Sequence, residues 1–169
     1  MAAERAARPR AVPHKRRRAA ASIQNAQRAV SFKIPVLEAF LFRVNREIGL
    51  LAGSYFVRFV TDSEMARLNG AFRNKPRTTD VLSFPHENRS HPTNLKRRLR
   101  KLRGSFLGDI AISPIVARRN ARAFGRTFTE EVCILMLHGI LHLLGYDHEN
   151  DRGEMERVET RLRRRVGLG

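Results

Sequence analysis

The sequence predicts an α+β fold, a small mixed four-stranded sheet covered by about five helices. Three observations carry this. Apolar residues alternate between helical and strand spacing through the first two thirds of the chain, the C-terminal third reads as helix throughout, and no segment repeats. With 42% apolar residues among 169, the chain can bury one core of ordinary domain size.

The elements follow in order. Residues 1–20, rich in Ala, Arg and Pro, lack the large apolar side chains that would offset the entropy of ordering, and are expected as a disordered basic tail. Residues 21–169 are expected as a single domain. From Ile34 the residues Leu37, Phe40, Leu41, Val44 and Ile48 recur at helical spacing, with Pro35 in the first turn and Gly49 at the end. Tyr55 to Val60 is aromatic and β-branched, a strand, and Thr61 with Glu64 opens a short helix expected to stop at Gly70. A second strand runs Val81-Leu82-Ser83-Phe84 and is ended by Pro85. Residues 86–104 read as a long basic loop, of a length that compact domains keep for function or leave disordered. A third strand lies between Phe106 and Ile112, and Pro114 starts a helix ending near Gly125. Thr129 is expected to cap a very apolar helix from Glu130 to about Leu144, stopped by Gly145. Asp151 and Glu154 make a capping-box-like start to the last helix, whose buried stripe is Met155, Val158, Leu162 and Val166.

Composition excludes several classes. No run approaches the roughly 20 apolar residues that span a bilayer, and arginines occupy the place of a signal peptide's apolar stretch. The arginine-rich start is also unlike a transit peptide, being nearly free of Ser, and unlike a twin-arginine signal, since polar Gln24-Asn25 follows Ser22. The one cysteine, Cys133, lies in Val132-Cys133-Ile134-Leu135 as a small buried hydrophobe, so a reducing, cytoplasmic location is expected.

Charge is the strongest compositional signal, with 33 Lys and Arg against 16 Asp and Glu, a formal +17. The excess is segmental. Residues 1–20 hold seven basic side chains and only Glu4, and residues 89–103 hold seven more and no acid, which leaves 19 basic against 15 acidic elsewhere. Basic arms beside a near-neutral body suit the phosphates of a nucleic acid, while a solvated tail and loop account for the same composition.

Three of the six histidines fall within eleven residues, as H-x-x-x-H-x-x-G-x-x-H at His138, His142, Gly145 and His148. Positions i and i+4 share a helix face, so His138 and His142 can aim at a common point. A left-handed Gly145 would reverse the chain and return His148 toward them. Three neutral imidazoles leave a fourth position for water on a tetrahedral ion, which predicts a catalytic zinc site at the end of an apolar helix, one Zn2+ per chain. A lone histidine is more often a hydrogen-bonded core or surface residue than a ligand; His14 lies in the expected disordered tail, and His86 and His91, in or beside the basic loop, are read as surface histidines. The same spacing occurs in metzincin proteases, but there a glutamate follows the first histidine, and here the residue is Gly139. A protease would need its carboxylate from elsewhere, with Asp109, Asp147 and Glu149 as candidates.

Three ordered stretches resemble the YbeY family of rRNA-maturing endoribonucleases. Leu68-Asn69-Gly70-Ala71-Phe72-Arg73-Asn74-Lys75 through Thr79-Asp80-Val81-Leu82-Ser83-Phe84-Pro85 is similar to one family signature, Leu107-Gly108-Asp109-Ile110 to a second, and His138 to His148 to the zinc motif. The likeness runs from about Ser22 to Leu162, with departures at Pro76 and Thr78 and in the long basic insert. It implies a single-strand-specific, zinc-dependent endoribonuclease acting in 16S rRNA 3′-end maturation and 70S ribosome quality control, with single-stranded RNA, rRNA and the small ribosomal subunit as partners. The metal would be held by His138, His142 and His148. Arg73 is the residue the family pattern nominates beside the metal, and a guanidinium suits two phosphate oxygens at a centre gaining charge. Asp109 and Asp147 are candidates for orienting a ligand imidazole, and Asp147 equally for capping the turn after Gly145. The alternatives are a metzincin-like metalloprotease and a non-catalytic RNA-binding assembly factor with a structural metal.

Overall fold

A computed structural model describes residues 22–87, 95–147 and 151–168. The basic tail, His14, Arg89, His91, His148 and Glu149 lie outside the described residues. Ten elements follow in chain order: β1 (Ile23–Asn25), α1 (Ile34–Ile48), β2 (Tyr55–Phe59), α2 (Asp62–Arg73), β3 (Val81–Pro85), α3 (Leu95–Lys101), β4 (Gly108–Ile112), α4 (Pro114–Ala123), α5 (Phe128–Leu143) and α6 (Glu154–Arg165).

The sheet is four-stranded and mixed, in the order β1-β2-β4-β3. β2 is parallel to β1 and β4, while β3 is antiparallel to β4 and forms an edge. Ile23 to Asn25 make the fourth strand, too short and too polar to show a strand period. Its neighbour β2 supplies buried Tyr55, Val57 and Phe59 from alternate positions.

α5 is the central helix. Ten of its sixteen residues are buried, so its apolar surface extends beyond one stripe, as expected of a helix covered on most sides. Its start differs from the sequence expectation: the cap is Thr127, not Thr129. Thr127 and Glu130 form a full capping box, with the Thr127 hydroxyl accepting from the Glu130 amide and the Glu130 carboxylate accepting from the Thr127 amide. The spacing rule needs Glu three residues after the cap, which Thr127 meets and Thr129 does not. Cys133 is buried, and burial pushes its thiol up to about 12, which keeps it protonated.

Other boundaries were refined by short-range chemistry. α2 runs past Gly70 to Arg73 and ends where Asn74 adopts a left-handed conformation, φ 54°. α6 starts at Glu154, and the Asp151 carboxylate accepts from the amides of Gly153 and Met155. The stretch 86–104, expected as a loop, contains α3. Leu95, Leu99 and Leu102 recur at helical spacing and pack on the main core, while Lys96, Arg97, Arg100, Lys101 and Arg103 face solvent. The density of charge hid this three-leucine stripe. No helix among the described residues is long and apolar enough to cross a membrane.

Candidate active site

The C-terminal half of α5 carries the first two site residues. Gly139 lies between them in sequence but about 100° round the helix from His138, against the sheet, where an added Cβ would sit 2.8 Å from Ile110 Cγ2. A side chain there has no room, and the Ser83 hydroxyl donates to the Gly139 carbonyl at 3.2 Å. The glutamate that metzincins carry at this position therefore cannot be housed in this chain. With that contact made, His138 and His142, on the adjoining side of the helix, line the cavity at the edge of the sheet.

The two imidazoles converge. Nε2 of His138 and Nε2 of His142 lie 3.0 Å apart. His138 Nδ1 is 2.9 Å from the Glu159 carboxylate, and His142 Nδ1 is 2.9 Å from the Tyr146 carbonyl. Carboxylates and carbonyls accept hydrogen bonds, so each Nδ1 carries a proton and donates, which leaves Nε2 as the atom of each ring that can bind a metal. Both Nε2 lone pairs then point at one place, an arrangement that a shared cation relieves. A tetrahedral ion with bonds of about 2.0–2.1 Å needs ligand nitrogens roughly 3.3 Å apart, a few tenths from the observed spacing. The donor set fits zinc on chemistry and on spacing. His148, the third expected ligand, lies outside the described residues.

Each ring is held by a separate device. Gly145 takes φ 96°, and its amide and that of Tyr146 bond back to the carbonyls of His142 and Leu141. That reversal is what brings the Tyr146 carbonyl to the His142 ring. Glu159 comes from α6, on the same face as Met155 and Leu162, and its carboxylate also accepts from Arg163. Burial works against the Glu159 charge, yet the His138 ring and the Arg163 guanidinium hold its pKa below the ordinary glutamate value. Glu159 escaped sequence reasoning, although a carboxylate inside the apolar stripe of a helix is the signal that finds it. The Nδ1 partners of His138 and His142 are thus Glu159 and the Tyr146 carbonyl. The neighbour of Asp109, Ile110, points to α5, so by strand alternation Asp109 belongs to the opposite sheet face. Asp147 lines the site cavity.

That cavity, of about 750 Å³, wraps the edge strand β3. His138, His142 and Glu159 line one side, and Phe72 and Arg73 the other. Arg73 is exposed and is the last residue of α2. The residues around it explain their own identities. The buried Asn69 amide donates to the Arg77 carbonyl at 2.8 Å, pinning the segment after the helix. Asn74 and Lys75 donate back to Gly70 and Asn69, closing the helix end. Arg73 is thus carried on a fixed turn, across the edge strand from the imidazoles. His86 stands apart, its ring 5.6 Å from Phe106.

The chain is similar to known proteins of one family. The family model described as "Endoribonuclease YbeY" matches residues 21–167. The endoribonuclease YbeY of Solibacter usitatus is 45% identical over 135 residues, covering 79% of this chain and 80% of its own. That of Koribacter versatilis is 39% identical, covering 78% and 76%. The solution structure of TM1509 from Thermotoga maritima superposes with a TM-score of 0.53 at 26% identity, over 85% of this chain and 88% of that one.

Proposed function

Because the chain belongs to the endoribonuclease YbeY family, whose activity is internal cleavage of RNA, we propose a single-strand-specific, zinc-dependent enzyme of 16S rRNA 3′-end maturation and 70S ribosome quality control. It would act in the cytoplasm on the small ribosomal subunit. The observation that supports the metal dependence is the 3.0 Å approach of two Nε2 atoms whose Nδ1 partners are both acceptors.

His138, His142 and His148 would hold the ion, which when bound supplies Lewis-acid stabilisation of phosphate oxygens and a water of lowered pKa. The chain's own residues do the rest. Glu159 and the Tyr146 carbonyl fix the two ring orientations and keep the protons on Nδ1. Arg73, across β3, offers a guanidinium to the phosphate and offsets the negative charge that grows as the phosphorus gains a fifth oxygen. The exposed cations of α3 and its flanks add affinity that weakens with salt.

The test pairs metal content of untagged protein with cleavage of a single-stranded RNA carrying the small-subunit 3′ end, before and after chelation. One zinc per chain and chelator-sensitive internal cuts are expected. His142→Ala should lose both, and Arg73→Ala should keep zinc while cleavage falls about 10²–10³-fold. Cleavage by metal-free His142→Ala would sink the proposal. Stoichiometric zinc without cleavage would favour the assembly-factor alternative.

A further inference from the structure

Phe72 is 54% exposed and lines the cavity, unlike Phe42 and Phe124, which are more exposed but lie outside it. It is not loosely placed. Its ring meets Phe84 edge to face, with centroids 4.5 Å apart and planes at 62°. Phe84 in turn packs on a small cluster of Val60, Met65, Leu82 and Ala111 between α2 and the sheet. The last turn of α2 and the left-handed Asn74 fix the backbone beneath it. One part of the Phe72 surface is therefore committed to Phe84, and the rest is held open toward the cavity.

The surroundings define what such a ring would meet. Residues 72–77 include Arg73, Lys75 and Arg77, all exposed, and no acid. The same cavity reaches the imidazoles on the far side of β3. An aromatic platform flanked by cations and continuous with a phosphodiester-cleaving centre matches a nucleotide, with its base on the ring and its phosphates on the guanidinium and ammonium groups. We propose that Phe72 stacks an unpaired base of the RNA substrate, next to the nucleotide whose phosphate is cut. The assignment rests on the nuclease reading above and gives it a physical source of strand selectivity. A duplex keeps its bases stacked on one another, whereas a single strand can turn one out onto the ring.

The experiment reads binding and cleavage separately. A single-stranded oligoribonucleotide with 2-aminopurine at successive positions is titrated into metal-depleted protein, and cleavage by the zinc-loaded full chain gives kcat and KM. Wild type should quench 2-aminopurine at one position. Phe72→Tyr should behave alike, while Phe72→Leu, which keeps apolar area but removes the ring, should lose the quench. For Phe72→Leu, affinity should fall about 5- to 100-fold, KM should rise by a similar factor and kcat should change little. Undiminished affinity and quenching in Phe72→Leu would overturn the stacking assignment. Absence of cleavage by loaded wild type, with binding intact, would instead fail the nuclease reading alone.

Discussion

The two sides of the cavity are built in opposite ways. On one, the imidazoles project from α5, a helix with ten buried residues, and are tied to α6 and to the turn at Gly145. On the other, Phe72 and Arg73 sit exposed on the end of α2, which contributes only Met65 and Asn69 as buried residues. The side proposed to hold the metal is part of the core, so changes there should damage folding and metal affinity together. The side proposed to face RNA is held by caps and one amide, so changes to its exposed residues should cost activity with little loss of stability. The difference separates a site that must not move from a surface that must stay open.

The largest effect expected is at Gly139. A glutamate there, which would recreate the metzincin pattern, meets Ile110 at the helix–sheet contact and should leave no soluble folded protein. Gly139→Ala should lose about 1–3 kcal/mol in denaturant unfolding, partly offset by alanine's helix propensity. The loss should shrink when Ile110→Val removes one of the atoms in contact, which a double-mutant cycle would show. A stable, soluble Gly139→Glu variant would mean that the metal side is not part of the core.

Second in size is Glu159→Gln. It keeps shape and loses the charge that His138 and Arg163 share, and zinc affinity should drop about 10–100-fold in a chelator competition. Unchanged affinity would mean that α6 merely packs on α5 and does not orient the ligand.

Legibility in the sequence follows the same division. His138 and His142 were found because helical spacing and an apolar setting leave few reasons for an imidazole, and the structure brings them together. Strands β2, β3 and β4 and every helix but α3 also follow from period and caps. What was missed depends on pairing between distant segments. β1 has only three residues, two of them exposed, and is a strand only because β2 is beside it. Glu159 gains meaning only when α6 packs on α5, 21 residues from its histidine partner. The leucines of α3 are diluted by charge, and Thr129, directly before Glu130 and Glu131, competes in the sequence with the true cap Thr127.

A smaller effect is expected at Asn69, which holds the segment behind Arg73. Asn69→Ala leaves the Arg77 carbonyl without its donor and should cost about 1–2 kcal/mol of stability. Cleavage should fall with zinc content unchanged. If cleavage is unaffected, the position of Arg73 does not depend on that turn, and the contrast between a core-held and a cap-held side weakens.

The smallest effect tests whether the caps of α5 contribute apart from its core. Thr127→Ala should lose about 1 kcal/mol at neutral pH. The contribution should depend on pH, because hydrogen bonds from the Thr127 hydroxyl and amide hold the Glu130 carboxyl below its ordinary value of 4.5. A group whose pKa is lowered by folding stabilises the native state above its unfolded pKa, and that contribution disappears as pH falls through the lowered value. The stability gap between wild type and Glu130→Gln should therefore be full at pH 7 and narrow progressively below about pH 4.5, in urea unfolding followed by circular dichroism. A gap independent of pH would show that the box acts through the Thr127 hydroxyl alone. Because α5 is anchored along its whole buried length, zinc content should not change in either variant, whereas a parallel loss of zinc would mean that the metal side is as dependent on its caps as the RNA-facing side.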